Sequence, residues 1–158
     1  MRHTAAGVLV TRPAHQSAAL INQIEGLGLL AFSCPAISIN QIQPDLTDLK
    51  LEDYPIIIFI SANAVENGLK YIKNTTNFGE KTICAIGKST AQSLFDKGIS
   101  HVTQAREGFT SEALLKLDTF NPDHIDQQNI LIIRGQGGRE HLAEALRIRG
   151  ARVDYLEV

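Results

Sequence analysis

Polar residues recur where predicted strands run into predicted helices. Thr11 and Arg12 follow the first apolar run, and Ser61 and Asn63 follow the most apolar run of the chain. Three more groups have the same position: Ser89 and Thr90; Thr110 and Ser111; and Gly135, Gly137, Gly138 and Arg139. The turns after parallel strands share one edge of a sheet, and this is the edge where open α/β sheets bind ligands.

Two interpretations of these polar residues compete. Ser, Thr and Asn are favoured helix N-caps, and each contributes about 1 kcal/mol to its helix. Alternatively, helix N-termini with free N–H groups, together with Arg12 and Arg139, form a rim for a ligand with many carboxylates or phosphates. Since this rim has neither a strong nucleophile nor an acid–base pair, any catalysis there would work by positioning and charge stabilisation.

Two phosphate-binding motifs are present only in part, because each lacks a required glycine. Gly87-Lys88-Ser89-Thr90 resembles the end of a P-loop, but Thr82 stands where the first glycine is required, and a strand occupies the place of the loop. The segment from Gly135 to Arg139 follows a strand, as in a dinucleotide fingerprint, but Glu140 replaces the third glycine. What remains there is a flexible loop at a helix N-terminus, which is a generic anion site.

The histidines and cysteines predict no metal site. The five histidines are scattered, without an HExxH motif or a carboxylate partner, and Cys34 and Cys84 lie fifty positions apart. A disulfide stays open from the sequence, although two cysteines in this arrangement fit a reducing compartment.

Short apolar runs alternate with amphipathic stretches, which predicts βαβ units, a mostly parallel sheet and helices on both faces. The run from Pro55 to Ile60 is apolar throughout and predicts a central strand covered on both sides. The predicted strands cover residues 7–11, 29–33, 36–42, 55–60, 82–86, 101–104, 129–133 and 153–158, and the helices 14–27, 44–54, 62–73, 90–97, 111–117 and 138–149.

Composition narrows the class of protein. The chain has 158 residues, of which 44% are apolar and 20% charged, and its net charge is −2. These values are typical of globular proteins and lack the basic excess of a nucleic-acid binder. No apolar run approaches the roughly 20 residues of a membrane-spanning helix, and the N-terminal apolar run is too short for a signal peptide. We therefore expect a cytoplasmic protein without a membrane partner.

Several segments together resemble the uroporphyrinogen-III synthase family. No segment is specific alone, but their order and spacing extend over the whole chain. The matching segments are Val8–Pro13, Phe59–Val65, Ala85–Ala91, Gly108–Glu112, Arg134–Glu140 and Val153–Val158.

The resemblance implies two α/β domains joined by a two-stranded linker. Residues 1–37 would be the N-terminal βαβ piece of the first domain, and residues 38–158 the linker strands and a flavodoxin-like second domain. The rest of the first domain, about a third of a family member, would be absent. We therefore expect a C-terminally truncated chain that is inactive alone.

The resemblance also implies a reaction. The family converts hydroxymethylbilane to uroporphyrinogen III with loss of water, for haem, sirohaem and cobalamin synthesis, and uses no metal or cofactor. The terminal hydroxyl leaves to give an azafulvene, and the substituted carbon of ring D attacks it to form a spiro intermediate. Fragmentation and re-closure then leave ring D inverted. Every ring of the substrate carries acetate and propionate groups, and the substrate lies between the two domains.

By resemblance, the substrate-binding residues lie in the turns described above. They are Thr11, Arg12, Ser61, Ala62, Asn63, Lys88, Ser89, Thr90, Thr110, Ser111, Gly135, Gly137, Gly138 and Arg139. Two departures from the family pattern stand out. Ile60 replaces a usual threonine, and the family tyrosine near the leaving hydroxyl would fall one position beyond Val158, so that Tyr155 is not its counterpart. No catalytic residue is therefore assigned.

Two alternatives remain open. One is a non-enzymatic flavodoxin-like module that binds a phosphate or another small anion on the same rim. The other concerns assembly: a full-length family member is expected to be a monomer, whereas residues 1–37, without the rest of their domain, could pair with a second copy as a dimer.

Overall fold

The structure is a computed structural model that describes residues 7–47, 49–72, 75–138 and 140–158. Its contacts divide the chain into two compact units, the first ending at Gln41 and the second beginning at Ile42. Arg139, one of the predicted binding residues, lies outside the described residues.

The first unit is a βαβ segment. It consists of β1 (Gly7–Val10), α1 (Ala18–Gly26) and β2 (Leu30–Ser33). The two strands are parallel, with Leu9 beside Phe32. The predicted helix starts later than expected because the chain first makes a 3₁₀ turn at Ala14–Gln16, where the Ser17 hydroxyl donates to the Ala14 carbonyl.

The small sheet of the first unit exposes much apolar surface. Val10 and Ile24 are buried, whereas Leu9, Leu30 and Phe32 are each more than half exposed. Two strands and one helix bury too little surface to cover such side chains. The expectation that this segment pairs with a second copy stays a prediction.

The second unit is built on five parallel strands among the described residues. They are β3 (Ile56–Phe59), β4 (Thr82–Ala85), β5 (Val102–Thr103), β6 (Asn129–Arg134) and β7 (Arg152–Glu157), in the order β5-β4-β3-β6-β7. The helices are α2 (Ala62–Gly68), α3 (Lys88–Asp96), α4 (Ser111–Leu114), α5 (Pro122–Ile125) and α6 (His141–Ile148). No helix among the described residues is long and apolar enough to cross a bilayer.

Helices cover both faces of this sheet, which confirms the predicted α/β class. Ile57 and Phe59 point to the face covered by α2 and α3, and Ile58 and Ile132 point to the face covered by α4, α5 and α6. All four residues of β3 are buried, in keeping with the apolar run that predicted a central strand.

The strand order places a switch point between β3 and β6. From β3 the chain builds the sheet outward through β4 and β5, and it then returns to add β6 and β7 on the other side of β3. If the five strands are numbered 1 to 5 along the chain, their order across the sheet is 3-2-1-4-5, whereas flavodoxin has the order 2-1-3-4-5. In both orders a crevice forms at the carboxyl ends of the two strands that flank the switch point.

Several predicted elements differ from the structure. Residues 36–42 form no strand, because no described strand pairs with them. The helix expected over residues 44–54 is reduced to a 3₁₀ turn at Leu51–Asp53. Before that turn, the Asp45 carboxylate accepts hydrogen bonds from the backbone and the hydroxyl of Thr47, which satisfies the backbone locally in a non-helical form.

Gly68 allows α2 to approach the sheet closely, because a Cβ atom there would lie 2.6 Å from Ile133 Cγ2. We expect Gly68→Ala to destabilise the second unit by about 1–2 kcal/mol, since overpacking costs more than the gain in helix propensity. Gly79→Ala is the matched control, because nothing lies within 4 Å of a Cβ atom at that position.

Tyrosine fluorescence during urea unfolding measures this difference. All three tyrosines lie in the second unit and the chain has no tryptophan, so the signal reports that unit alone. Equal unfolding free energies for the two variants would show that α2 can shift away from the sheet without cost.

Candidate functional site

A buried guanidinium lies at the carboxyl edge of the sheet. Arg134, the last residue of β6, is 7% exposed. Its Nη1 atom lies 2.7 Å from Glu140 Oε1, and its Nη2 and Nε atoms lie 3.0 and 3.1 Å from Glu157 Oε1. Nη1 also donates to the Gly138 carbonyl at 3.4 Å. One charge therefore joins β6, β7, the glycine loop and the start of α6.

Tyr155 completes this group, which we call the Arg134 cluster (Arg134, Glu140, Tyr155 and Glu157). The Arg134 guanidinium lies 3.9 Å from the centroid of the Tyr155 ring, and the tyrosine hydroxyl donates to Glu140 Oε2. Burial and this hydrogen bond raise the pKa of Tyr155. The hydrogen bonds from Tyr155 and Arg134 lower the pKa of Glu140. At neutral pH the cluster therefore holds an ionised glutamate and a protonated phenol.

A cavity of about 190 Å³ opens beside the Arg134 cluster. It lies against the sheet face that α4 and α6 cover, at the carboxyl ends of the strands that flank the switch point. The described residues that line it are Ile60, Ile86, Ser111, Ile132, Arg134, Leu142, Ala143 and Tyr155. The lining is mostly aliphatic, and its polar groups come from Arg134, Tyr155 and Ser111.

A constrained turn brings Ser111 to this cavity. Gly108 and Phe109 both have positive φ angles, of 85° and 39°, and such angles are uncommon for a residue like phenylalanine. The Thr110 hydroxyl then accepts a hydrogen bond from the Ala113 N–H and starts α4. Lys88, the first residue of α3, holds its ammonium group 4.8 Å from the centroid of the Phe109 ring. The turn thus connects the beginnings of two helices at the same edge.

Three of the predicted binding hydroxyls have partners within the chain. Ser61 caps α2 by accepting a hydrogen bond from the Ala64 N–H at 3.1 Å, and Thr110 caps α4 in the same way. Thr90 lies inside the first turn of α3, which begins two residues earlier than predicted. It is buried and donates to the Ile86 carbonyl at 2.7 Å. Ser61 and Thr110 are therefore helix N-caps, as the first interpretation predicted. Thr90 is neither an N-cap nor exposed at the rim, because its hydroxyl faces the interior.

The structure brings most of the predicted residues to one sheet edge. Ser61, Ala62 and Asn63 follow β3, Lys88 and Ser89 follow β4, Thr110 and Ser111 follow β5, and Gly135, Gly137 and Gly138 follow β6. Thr11 and Arg12 follow β1, which pairs with β2 in the separate sheet of the first unit. The single edge expected for all the turns therefore holds only for those of the second unit.

Sequence reasoning missed the interactions that hold this edge together. The sequence placed Arg134 only at the start of a segment that matches the family, and Glu140 only where the dinucleotide fingerprint is broken. Glu140 is in fact a partner of both Arg134 and Tyr155. The available signal was an arginine directly after four buried apolar residues, since such a charge must be paired.

Two further groups bear on the chemistry. Burial raises the pKa of the Cys84 thiol to about 12, so it is protonated at neutral pH and is no thiolate nucleophile. His141 Nε2 lies 3.9 Å from Glu112 Oε1, a carboxylate partner that the sequence did not indicate. Among the described residues, no three His, Cys, Asp or Glu side chains cluster in a way that could hold a metal ion.

A parallel sheet with helices on both faces, and a cavity at the carboxyl side of its switch point, define the second unit as a doubly wound α/β domain, a class whose members bind ligands at this crevice. The family model described as uroporphyrinogen-III synthase HemD matches residues 18–158. The chain therefore belongs to the uroporphyrinogen-III synthase family, which confirms the resemblance.

Curated relatives agree with this assignment. The uroporphyrinogen-III synthase of Proteus mirabilis is 32% identical over an alignment of 158 positions, which covers 95% of this chain and 77% of that protein. The enzyme of the same name from Salmonella typhimurium is 31% identical over 95% of this chain, but only 63% of its own length is matched. The chain thus spans about two thirds to three quarters of these two relatives.

Solved structures show the same fold. A uroporphyrinogen III synthase from Thermus thermophilus superimposes with a TM-score of 0.62, at 17% identity, over 97% of this chain and 61% of that one. The synthase structure from Helicobacter pylori gives a TM-score of 0.52 at 19% identity, over 82% of this chain and 54% of that one.

We expect Arg134→Met to destabilise the second unit by about 1–2 kcal/mol at pH 7, because Glu140 and Glu157 would lose the cation that bonds to both, and only the weaker attraction between Arg147 and Glu140 would remain. The partial exposure of both carboxylates keeps the loss this small. Because the pKa of Glu140 is lowered in the folded protein, its stabilising effect is present above pH 4.5 and is lost as the pH falls through the folded pKa. The difference between variant and parent should therefore shrink at acidic pH.

Urea unfolding at pH 7 and pH 4 measures this effect. The exposed Arg152, which donates to Gln127 Oε1, supplies the control Arg152→Met, with an expected change below about 0.5 kcal/mol. A loss for Arg134→Met that is the same at both pH values would contradict the assignment of this charge pairing.

Proposed function

We propose that this chain forms the larger part of an enzyme that converts hydroxymethylbilane to uroporphyrinogen III with loss of water and inversion of ring D. The observation that carries the proposal is the family match over residues 18–158, which includes every strand of the second unit. Because the chain spans only part of its relatives' length, we infer that the complete activity needs additional chain.

Support comes from the charge pattern of the carboxyl edge. The substrate carries acetate and propionate groups on every ring, and such a ligand needs cations and N–H donors around it. Lys88 is exposed at this edge, and the backbone of Gly135, Gly137 and Gly138 has no side chain that could obstruct a bound carboxylate. The glycine loop is itself held by Arg134, so its N–H groups would be in place before the substrate binds.

The proposed reaction proceeds by positioning. The terminal hydroxyl takes up a proton and leaves as water, and the azafulvene that forms accepts the electron pair of the substituted carbon of ring D. Cleavage and re-closure, with loss of a proton, then yield the inverted ring. The residues of this edge would hold the carboxylates while one ring turns over, which is catalysis by orientation and fixed charge.

The proposal also covers the localisation, the partners and the oligomeric state of the protein. We infer a cytoplasmic protein that takes a linear tetrapyrrole and neither nucleic acid nor membrane. We expect a monomer once the exposed apolar surface around Leu9 and Phe32 is covered by additional chain. With that surface left open, pairing with a second copy is the alternative.

The distribution of uroporphyrinogen isomers tests the function. Hydroxymethylbilane is generated enzymatically and offered to this chain and to a fusion in which the C-terminal segment of the Proteus relative continues from Val158. The fusion should yield isomer III, and this chain alone should leave the spontaneous isomer I. The products are separated by chromatography after oxidation to porphyrins.

Two lysines of one helix provide a matched pair of variants for the fusion. Lys88 is the first residue of α3, and Lys97 directly follows its last residue, at the end of the helix away from the carboxyl edge of the sheet. Lys88→Ala should raise KM several-fold through loss of a carboxylate partner, and Lys97→Ala should leave KM unchanged. If the fusion forms only isomer I, the proposal fails and the anion-binding module becomes the better account.

A further inference from the structure

The cavity beside the Arg134 cluster has the size of a single small ring. Its volume is about 190 Å³, and engineered apolar cavities of about 150 Å³ admit benzene. A five-membered ring is smaller than benzene, whereas a molecule of four linked rings cannot enter. The cavity thus suits one ring of a larger ligand whose remaining part lies outside.

The walls select for an uncharged part of that ligand. Ile60, Ile86 and Leu142 supply aliphatic surface, and the ring of Tyr155 adds an aromatic wall. The Arg134 guanidinium is already bonded to two glutamates, so the cluster offers an entering carboxylate no net positive charge. A carboxylate placed here would meet Glu140 and would lose its hydration.

One polar group of the lining is suited to an N–H donor. The Tyr155 hydroxyl donates to Glu140, whereas the turn at Gly108 and Phe109 places Ser111 in the lining of the cavity. A serine oxygen can accept a hydrogen bond from a ring N–H. In a pyrrole that bears acids on its two β-carbons, the N–H edge is the edge without carboxylates.

We propose that this cavity receives one pyrrole ring of the linear substrate, with its N–H edge inward toward Ser111 and its carboxylate-bearing edge outward toward Lys88. This inference rests on the proposed function and adds a ring-binding subsite to it. The subsite fixes one ring while the others remain at the open edge. It therefore determines which ring of the linear substrate is held during cyclisation.

Pyrrole and furan are matched probes for this subsite, because they have the same size and only pyrrole carries the N–H group. Amide resonances of the ¹⁵N-labelled chain are followed during titration with each probe. Pyrrole should shift the resonances of Ile86, Ser111 and Ala143, with affinity about tenfold higher than that of furan. Ser111→Ala should remove that difference and leave furan binding unchanged.

Variants at two alanines of α6 distinguish binding inside the cavity from binding elsewhere on the same face of the sheet. Ala143 lines the cavity and Ala145 does not, although both pack on the same face of the sheet. Ala143→Met should fill the space and weaken both probes at least tenfold, and Ala145→Met should leave both unchanged. If Ala143→Met fails to fold, Ile86→Phe narrows the cavity from the end of β4 with the same expected result.

Several results would overturn the inference: shifts elsewhere in the chain, equal affinity for pyrrole and furan, or unchanged binding by Ala143→Met. Turnover distinguishes this failure from failure of the proposed function. If the fusion with Ala143→Met makes isomer III at the parental rate, the subsite is wrong and the function stands. If pyrrole binds but the parental fusion makes no isomer III, the function fails and the link to the substrate fails with it.

Discussion

The buried charge of Arg134 is the constraint on which the carboxyl edge of the second unit depends. A guanidinium at the end of a strand in a covered sheet is shielded from water, so the chain must supply its counter-charges. Glu157 comes from the neighbouring strand, and Glu140 comes from the start of α6. The loop between Arg134 and Glu140 must therefore fold back over the guanidinium, and the glycines make this short path feasible.

This arrangement connects structure to the proposed chemistry. The Tyr155 ring stacks on the guanidinium and forms one wall of the cavity, so the electrostatic cluster also shapes the ring-sized space. The strand order places that space at the switch point, where α/β sheets hold ligands. A site of this kind has fixed charges outside and an apolar slot inside. It suits a reaction in which one ring is held inside while its acidic side arms are bound at the open edge.

The sequence predicted much of the fold and less of the site. The continuous apolar run before Ser61 identified the central strand, because only a strand covered on both faces can bury every side chain. Apolar and polar residues alternate over residues 36–42, which predicted a strand. The segment forms none, because such a pattern does not supply the neighbouring strand with which it would have to pair. Local chemistry predicted the N-caps Ser61 and Thr110. The Arg134–Glu157 pair was missed because its members are 23 positions apart and meet only through strand pairing. The cavity walls come from two strands, two helices and the residues that directly follow β3 and β4, and the sequence did not reveal them for the same reason.

Hydrogen exchange of individual amides tests most directly whether Arg134 organises this edge. The Val158 N–H bonds to the Arg134 carbonyl, and the Glu144 N–H bonds to the Glu140 carbonyl. The Ile86 N–H, bonded to Phe59 on the other side of the switch point, is the reference. In Arg134→Met we expect the first two amides to lose protection about tenfold more than the reference, because their surroundings open locally. Equal losses at all three amides would contradict the account, since they would show that Arg134 stabilises the unit as a whole and does not organise the site.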